Sequence, residues 1–290
     1  MKIFLLAVAA LGLGAWNSGS QEPAPEIKVV EVTDNIAMLV GFGGNIGVMK
    51  GDDGVLMIDT QFAQFESGIR EAMAKFTDGK PTYVVNTHWH GDHVGGNLGF
   101  GKDGLLIAHQ NVRARMKKGG RGAGPADPGA LPEITYKDGL TLHWNGEPVH
   151  VLHLPTGHTD GDSVVLFTKS KVVHMGDLMF HKLFPFVDVT SGGDVIGYVQ
   201  SLKAALKLIP ADAKIIPGHG ELATRADLEG EVAMMEDCIK IVKGRIAEGL
   251  SQAEAVDLGL PEKYAAWSWQ FITTEKWLTT LYQELSKEKE

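Results

Sequence analysis

The sequence predicts an α/β fold in which β-sheets are covered by helices, and three observations support this class. Short apolar runs typical of buried strands alternate with segments of helical spacing, as in the strand at residues 55–58 and the helix at 64–76. The second half of the chain repeats this order, with several strands before a helix at 195–208. The 290 residues are 44% hydrophobic and 22% charged, which is enough to bury a sizeable core. Sheet layers flanked by helices account for all three observations.

The first half of the chain contains most of the predicted strands and two predicted helices. Residues 64–76 place Ile69 and Met73 at a spacing typical of one helix face, and a second helix is expected around residues 111–116. A hairpin tip rich in glycine is predicted at Gly41 to Asn45. A loop rich in Gly and Pro follows at residues 117–132 and is expected to be a solvated connection. The predicted strands are residues 27–32, 37–40, 46–49, 55–58, 83–85 and 105–108.

The second half of the chain is expected to form more strands and then a helical C-terminal segment. Predicted strands lie at residues 140–143, 149–154, 163–167, 172–175 and 214–216. From about residue 225 to 290 the apolar spacing is helical, and Trp267, Trp269 and Trp277 are expected to pack in the core or in a groove. We therefore predict a single domain over residues 21–290.

Residues 1–20 have the order of a secretory signal peptide. Met1 and Lys2 precede an apolar run at 3–13, and small residues follow it. The run is shorter than the ~20 residues that a membrane-spanning helix needs, so no stable membrane insertion is expected after cleavage. The single cysteine, Cys238, allows no internal disulfide. The predicted location is the periplasm or the exterior of the cell.

The charge of the chain restricts its partners. The formal net charge is -9 at pH 7, and an acidic surface of this size argues against nucleic acid as a partner. The expected partner is a small-molecule substrate. Nothing in the sequence predicts an oligomeric state.

The most informative motif is Asn-Thr-His-Trp-His-Gly-Asp-His, which directly follows a predicted strand and contains His88, His90, Asp92 and His93. Two histidines one residue apart on an extended segment can point their imidazoles at one ion. Asp92 and His93, after the turn at Gly91, can reach a neighbouring ion. Imidazole nitrogens and carboxylate oxygens suit zinc at ~2.0–2.2 Å, although iron and manganese also accept these ligands. The motif therefore predicts two adjacent metal sites.

Three further candidate ligands, His158, Asp177 and His219, each follow an apolar strand. Each is flanked by glycine, which lets the backbone approach a metal closely. A lone histidine after a strand is weak evidence for a metal site. In this order along the chain and after the first motif, the three residues complete a specific set of candidate metal ligands.

Together these motifs resemble those of the metallo-β-lactamase superfamily, from about residue 27 to residue 225. The resemblance implies a four-layered αββα sandwich with the metals at one edge, and two zinc ions per chain. It implies that Asp59 orients a ligand histidine. It also implies a first site of His88, His90 and His158, a second site of Asp92, His93 and His219, and Asp177 as the bridge between them.

The resemblance implies a hydrolase in which Asp92 is catalytic and orients a metal-activated water that attacks a carbonyl. Predicted export favours a β-lactam as the substrate. Aspartate at Asp177, where some β-lactamases have cysteine, is instead similar to hydroxyacylglutathione hydrolases and lactonases. A lactone, ester or thioester hydrolase is therefore the alternative. A persulfide dioxygenase with one iron and a non-catalytic metal-binding protein are the remaining hypotheses.

Lys182 or His181 is expected to bind a substrate carboxylate, because both follow Asp177 closely, near where related β-lactamases place a cation. The other histidines match no ligand position of the family and are expected to be structural or to lie at the surface. These are His109, His143, His150, His153 and His174.

Overall fold

The structure is a computed structural model that describes residues 26–120, 124–154 and 156–287. The predicted signal peptide at residues 1–20 lies outside the described residues. Among the helices that are described, none has the length and apolar character needed to cross a membrane.

The first half of the chain forms a seven-stranded sheet whose strands lie in sequence order. The first four strands pair antiparallel, and the last four pair parallel. Its strands are β1 (Lys28–Glu31), β2 (Ile36–Val40), β3 (Ile46–Met49), β4 (Val55–Ile58), β5 (Pro81–Asn86), β6 (Leu105–His109) and β7 (Ile134–Tyr136).

The second half forms a six-stranded sheet in which only the eleventh and twelfth strands of the chain pair parallel. The strands are β8 (Gly139–Trp144), β9 (Glu147–His153), β10 (Ser163–Phe167), β11 (Val172–Phe180), β12 (Lys214–His219) and β13 (Ala223–Thr224), and the order across the sheet is β13-β12-β11-β10-β9-β8.

Eight α-helices and four short 3-10 helices are described. The α-helices are α1 (Glu66–Ala74), α2 (Gly91–Val94), α3 (Asn97–Phe100), α4 (Gln110–Lys118), α5 (Val195–Leu208), α6 (Arg225–Ala247), α7 (Gln252–Asp257) and α8 (Thr274–Ser286). The 3-10 helices are Ala63–Phe65, Pro128–Ala130, Val189–Ser191 and Glu262–Trp267.

Three apolar layers hold the sheets and helices together. Residues such as Val85 of the first sheet and Val165 of the second form the core between the two sheets. Ile69 of α1 packs on the outer face of the first sheet. Leu202 of α5 and Trp277 of α8 belong to the core on the outer face of the second sheet. This arrangement confirms the predicted αββα sandwich.

Strand β11 is longer than the sequence predicts, and the difference bears on the site. The predicted strand stops at residue 175, whereas β11 continues through Asp177 to Phe180. Gly176 has a φ of +51°, which glycine adopts without steric cost, and the pairing with β12 shifts register on both sides of it. Asp177 therefore lies within an irregular part of the strand.

The helical C-terminal segment is interrupted more often than its apolar spacing suggests. Helix α6 begins with a capping box in which Thr224 and Asp227 satisfy each other's backbone N–H groups. Between the 3-10 helix that ends at Trp267 and the start of α8, residues 268–273 are extended or turn-like. This short connection reaches the edge of the sandwich where the candidate site lies.

Candidate metal centre

The predicted ligands form two adjacent groups at one edge of the sandwich. The nitrogen and oxygen atoms within each group all lie within 4.8 Å of one another, and no other such group exists among the described residues. The first group is His88, His90, His158 and Asp177, and the second is Asp92, His93 and His219. The structure thus brings together all seven residues that the sequence predicts.

The topology explains why these side chains meet. Strands β4, β5 and β6 are parallel, so residues after their carboxyl ends share one edge of the first sheet. His88 and His90 follow β5, and the backbone then turns at once into α2, which carries Asp92 and His93. In the second sheet, Asp177 and His219 lie on the parallel pair β11 and β12.

Asp177 faces both groups. Its Oδ1 is 3.0 Å from Nε2 of His93 and 3.4 Å from Nε2 of His219. Its Oδ2 is 3.4 Å from Nε2 of His158 and 3.7 Å from Nε2 of His88. One carboxylate therefore presents one oxygen to each group, which is the geometry that a bridging ligand requires.

Several buried polar atoms at the centre have no hydrogen-bond partner. These atoms are Nε2 of His88, Nε2 of His93 and Oδ1 of Asp177. An unsatisfied buried polar group costs about 1–3 kcal/mol, so native proteins rarely leave several together. Imidazole nitrogens and a carboxylate oxygen that converge without partners fit a transition-metal ion. The residues present therefore fit the metal ions that the family resemblance implies.

Asp59 holds His93 of the second group in position. It follows β4 with a φ of +63° and accepts hydrogen bonds from the backbone N–H and the hydroxyl of Thr87, at 2.8 and 2.7 Å. Its Oδ2 also lies 2.7 Å from Nδ1 of His93. A carboxylate that accepts a hydrogen bond from Nδ1 keeps the imidazole proton on that nitrogen and leaves Nε2 of His93 as the ligand atom.

The first group has its own supporting residues. Nδ1 of His158 donates to the backbone carbonyl of Phe186 at 2.7 Å, and Nε2 of His90 lies 2.9 Å from Oδ2 of Asp188. His90 therefore turns Nδ1 towards Nε2 of His158, 2.7 Å away. Asp188 is not predicted from the sequence, because it lies on an irregular segment where no strand pattern or ligand spacing marks it.

The predicted ligands shift one another's pKa values. Burial opposes ionisation of Asp177, but the surrounding imidazoles, led by His93, hold its pKa well below the usual range. Burial also opposes ionisation of Asp92, yet His93 and His219 lower its pKa to about 2. Burial lowers the pKa of His158 to about 3. Both carboxylates are therefore ionised at neutral pH, and His158 is neutral, as metal binding requires.

A cavity of about 900 Å³ opens over the centre. The predicted ligands His90, Asp92, Asp177 and His219 contribute to its lining. Most of the remaining lining is aromatic, aliphatic or glycine, including Trp269, which sequence analysis expected only to pack. The metal centre is thus accessible to a molecule of drug-like size.

The structure does not bring His181 and Lys182 into this cavity. Nδ1 of His181 donates to the carbonyl of Glu221 at 2.8 Å, and its Nε2 lies 3.3 Å from Oδ1 of Asp227. Nζ of Lys182 lies 3.7 Å from the same oxygen. Asp227 caps α6, so both side chains lie at the start of that helix and outside the lining of the cavity.

The other histidines lie outside the two ligand groups. His174 is buried, donates from Nε2 to the carbonyl of Asn45, and burial lowers its pKa to about 4. His109 and His153 stack with their ring centroids 3.9 Å apart. His150 bonds the hydroxyl of Thr141, and His143 is exposed on β8.

An αββα sandwich with a His and Asp cluster at its edge defines a class of metal-site proteins, and comparison with known proteins identifies the family. The model of the metallo-beta-lactamase superfamily matches residues 39–219, and the chain belongs to this superfamily. Proteins of this family are metal-dependent hydrolases. The match contains all seven predicted ligands and ends at His219.

Two of the curated relatives carry the names of different activities. A metallo-beta-lactamase type 2 of Bacteroides fragilis is 23% identical over 76% of this chain and 89% of its own length. A hydroxyacylglutathione hydrolase of Nitrosococcus oceani is 32% identical over 51% of this chain. The match spans about half the length of that hydrolase, 52%.

Solved structures share the fold at low identity. The metallo-beta-lactamase DIM-1 superposes with a TM-score of 0.61 at 21% identity and covers 73% of this chain and 98% of its own. The sec-alkylsulfatase Pisa1 of Pseudomonas sp. superposes with a TM-score of 0.69 at 17% identity over 89% of this chain and 50% of its own. At these identities the likeness concerns the fold alone.

Proposed function

We propose that this protein is an exported hydrolase that holds two zinc ions and cleaves a carbonyl substrate of small-molecule size. The observation that carries the proposal is the position of Asp177, whose two oxygens face two ligand groups with unpartnered buried nitrogens. Family membership supports the hydrolase class. Export is supported by the order of residues 1–20 in the sequence, which gives the periplasm or the cell exterior as the location.

The first group, with Asp177, would hold one zinc ion, and the second group, with Asp177, would hold the other. Zinc at such a site supplies a Lewis acid for a carbonyl oxygen and lowers the pKa of water towards about 7. Imidazole and carboxylate ligands also suit iron and manganese, so metal analysis belongs to the test.

Asp92 is the residue of this chain best placed to handle the water proton. It lines the cavity, and at a pKa of about 2 it is a carboxylate at neutral pH that can only accept hydrogen bonds. Its Oδ2 lies 3.2 Å from Nε2 of His219 and 3.6 Å from Nε2 of His93, which keeps it at the second group. There Asp92 would orient the attacking water and keep its lone pair directed at the carbonyl.

Two substrate chemistries are supported by separate observations. The relative from Bacteroides fragilis, matched over most of both chains, favours a β-lactam. The hydroxyacylglutathione hydrolases and the aspartate at Asp177 favour a thioester, lactone or ester. All of these reactions require attack of water on a carbonyl, so the same metal centre and the same Asp92 would serve each of them.

Turnover of three substrates by the purified mature protein tests the proposal. A chromogenic cephalosporin, a thioester and a lactone are each assayed with the zinc-loaded enzyme, alongside metal analysis of the same sample. We expect about two zinc ions per chain and hydrolysis of at least one substrate. One iron per chain and no hydrolysis of any of the three would overturn the proposal in favour of a dioxygenase.

A further inference from the structure

The cavity over the metal centre has aromatic walls from both halves of the chain. Phe42, Phe62 and Trp89 line it from the first half, and we call these three residues the N-terminal wall. Four aromatic residues line it from the second half, Phe180, Phe186, Trp269 and Phe271, and we call the last three the C-terminal wall. Large aromatic rings around a cavity bind apolar groups by burying their surface.

Trp269 is held in place beside the second ligand group. Its indole N–H donates to the carbonyl of Phe184 at 2.9 Å, and the backbone N–H of Phe184 donates to the carbonyl of Trp267 at 2.7 Å. The Trp269 ring lies 6.0 Å from the ring of His219, centroid to centroid. A fixed ring at this distance forms a wall next to the reacting centre.

Phe271 and Phe42 stand at the mouth of the cavity and remain in contact with water. Phe271 is 45% exposed and Phe42 is 70% exposed. The Phe271 ring packs edge-on against Phe186, with centroids 5.3 Å apart. Exposed aromatic side chains that continue a cavity lining form the kind of apolar patch that marks a ligand-binding groove.

Charged side chains contribute little to this lining. Among the described lining residues, the charged side chains other than histidine are the carboxylates of Asp92, Asp127 and Asp177. Two cations touch the aromatic walls but have other partners. Arg115 lies over the Trp89 ring and forms an ion pair with Asp160 at 2.6 Å. Lys276 lies over the Phe271 ring and donates a hydrogen bond to the backbone carbonyl of Phe271 at 2.8 Å. Apolar contact is therefore the main attraction that the described lining offers.

The C-terminal wall comes largely from outside the part of the chain that defines the family. The family match ends at residue 219, whereas Trp269 and Phe271 lie in the connection before α8. The ligands thus belong to the common family region, while much of the aromatic wall is supplied by the C-terminal segment of this chain.

We propose that the cavity selects substrates with a bulky apolar group, aromatic or long-chain, and that Trp269 and Phe271 determine this selectivity. The proposal rests on the proposed function and narrows its substrate class: a β-lactam, ester, thioester or lactone that carries a bulky apolar group. The reacting carbonyl lies at the ligands, and the apolar group lies between the N-terminal and C-terminal walls.

A series of 4-nitrophenyl esters from acetate to octanoate tests this selectivity with the zinc-loaded protein. Burial of each added methylene is expected to raise kcat/KM by about fourfold until the cavity is filled. Trp269→Ala and Phe271→Ala should each lower the ratio of octanoate to acetate kcat/KM by at least about tenfold. Leu258→Ala, at a 62% exposed position on the surface outside the cavity lining, is the matched control and should keep the wild-type ratio.

Phe42→Ala provides a variant whose folding is not at issue, because the side chain is mostly in water. It should also lower the octanoate to acetate ratio, since Phe42 belongs to the N-terminal wall. Equal kcat/KM values along the ester series, or an unchanged ratio in all three wall variants, would overturn the proposed selectivity. In either case hydrolysis itself would remain, so the proposed function would stand.

A binding measurement separates the selectivity from catalysis. N-phenyl-1-naphthylamine, a neutral probe that fluoresces in apolar sites, is titrated into the zinc-loaded protein. We expect saturable binding that weakens by about tenfold in Trp269→Ala and Phe271→Ala but not in Leu258→Ala. Probe binding of this kind without hydrolysis of any ester, thioester, lactone or cephalosporin would refute the proposed function while supporting the apolar site. Absence of saturable binding would contradict the apolar site.

Discussion

Asp59 and His93 are joined by a buried hydrogen bond of 2.7 Å between Oδ2 and Nδ1, and both side chains are fully inaccessible to solvent. The bond fixes the tautomer and the ring orientation of His93, and so directs Nε2 towards Asp177, 3.0 Å away. The carboxylate that positions a predicted ligand is therefore itself held by the backbone and the hydroxyl of Thr87.

Replacing Asp59 with Asn should weaken metal binding without unfolding the protein. The amide removes the negative charge next to His93 and can no longer accept every hydrogen bond that the carboxylate accepts. Loss of such a supporting residue lowers metal affinity by about 10- to 100-fold. Competition with a chromophoric chelator measures the affinity, and Asp257→Asn on the exposed end of α7 is the control. Equal zinc affinity in Asp59→Asn and wild type would show that Asp59 does not position a ligand.

Replacing Asp92 with Ala should abolish hydrolysis while leaving the fold intact. The variant loses the carboxylate that would orient the water, and we expect kcat to fall by at least about 100-fold. Circular dichroism and thermal melting check the fold, and Asp257→Ala, which changes an exposed acid, should retain wild-type turnover. Retained turnover in Asp92→Ala would remove Asp92 from the mechanism.

Replacing His158 with Ala should remove metal from the first group. His158 is fully buried and its Nε2 points at both His90 and Asp177, so the variant loses one of the converging donors. Metal analysis of the dialysed protein should show a loss of about one zinc ion per chain. His143→Ala, at an exposed position on β8, should keep the wild-type content. An unchanged stoichiometry in His158→Ala would refute its predicted role as a ligand.

Asp162 should make stability depend on pH. Burial raises its pKa from the ordinary 3.8 to about 8, although hydrogen bonds from Thr159 oppose this shift. The folded protein therefore keeps a proton on Asp162 that the unfolded chain releases near pH 3.8. Its contribution to stability is complete below that pH and is lost as the pH rises towards about 8, by up to about 1.4 kcal/mol per pH unit.

Denaturant unfolding in the presence of EDTA between pH 4 and pH 8 measures this dependence on pH. Asp162→Asn resembles the protonated side chain. As the pH rises, the free energy of unfolding of this variant should therefore fall less steeply than that of the wild type. Parallel curves for the two proteins would mean that Asp162 does not carry a proton in the folded state.

The sequence predicts the seven candidate ligands because their positions follow from local rules. His88, His90, Asp92 and His93 lie on a short segment after a buried strand, and a strand end fixes where such a segment goes. The helix predicted at 195–208 coincides with α5 for the same reason, since its apolar spacing is regular. Asp177 is also found, although β11 continues past it through the irregularity at Gly176.

Other features depend on contacts that local patterns do not encode. His181 and Lys182 lie close to Asp177 in sequence, but the capping carboxylate of Asp227, more than 40 residues away, attracts both of them. Trp269 lies in a segment whose apolar spacing is helical, yet its side chain reaches the cavity because its indole N–H donates a hydrogen bond to the carbonyl of Phe184. Loop conformation and tertiary hydrogen bonds, rather than spacing, decide where these side chains point.

Titration of the metal-free mature protein with zinc, followed by thermal melting and turnover on the same samples, tests the central claim most directly. We expect stability and hydrolysis both to rise and then level off near two zinc ions per chain. The free energy of unfolding should increase by about 2.7 kcal/mol at a free zinc concentration one hundred times Kd. Hydrolysis that persists after complete removal of metal, or a melting temperature that zinc does not change, would contradict it.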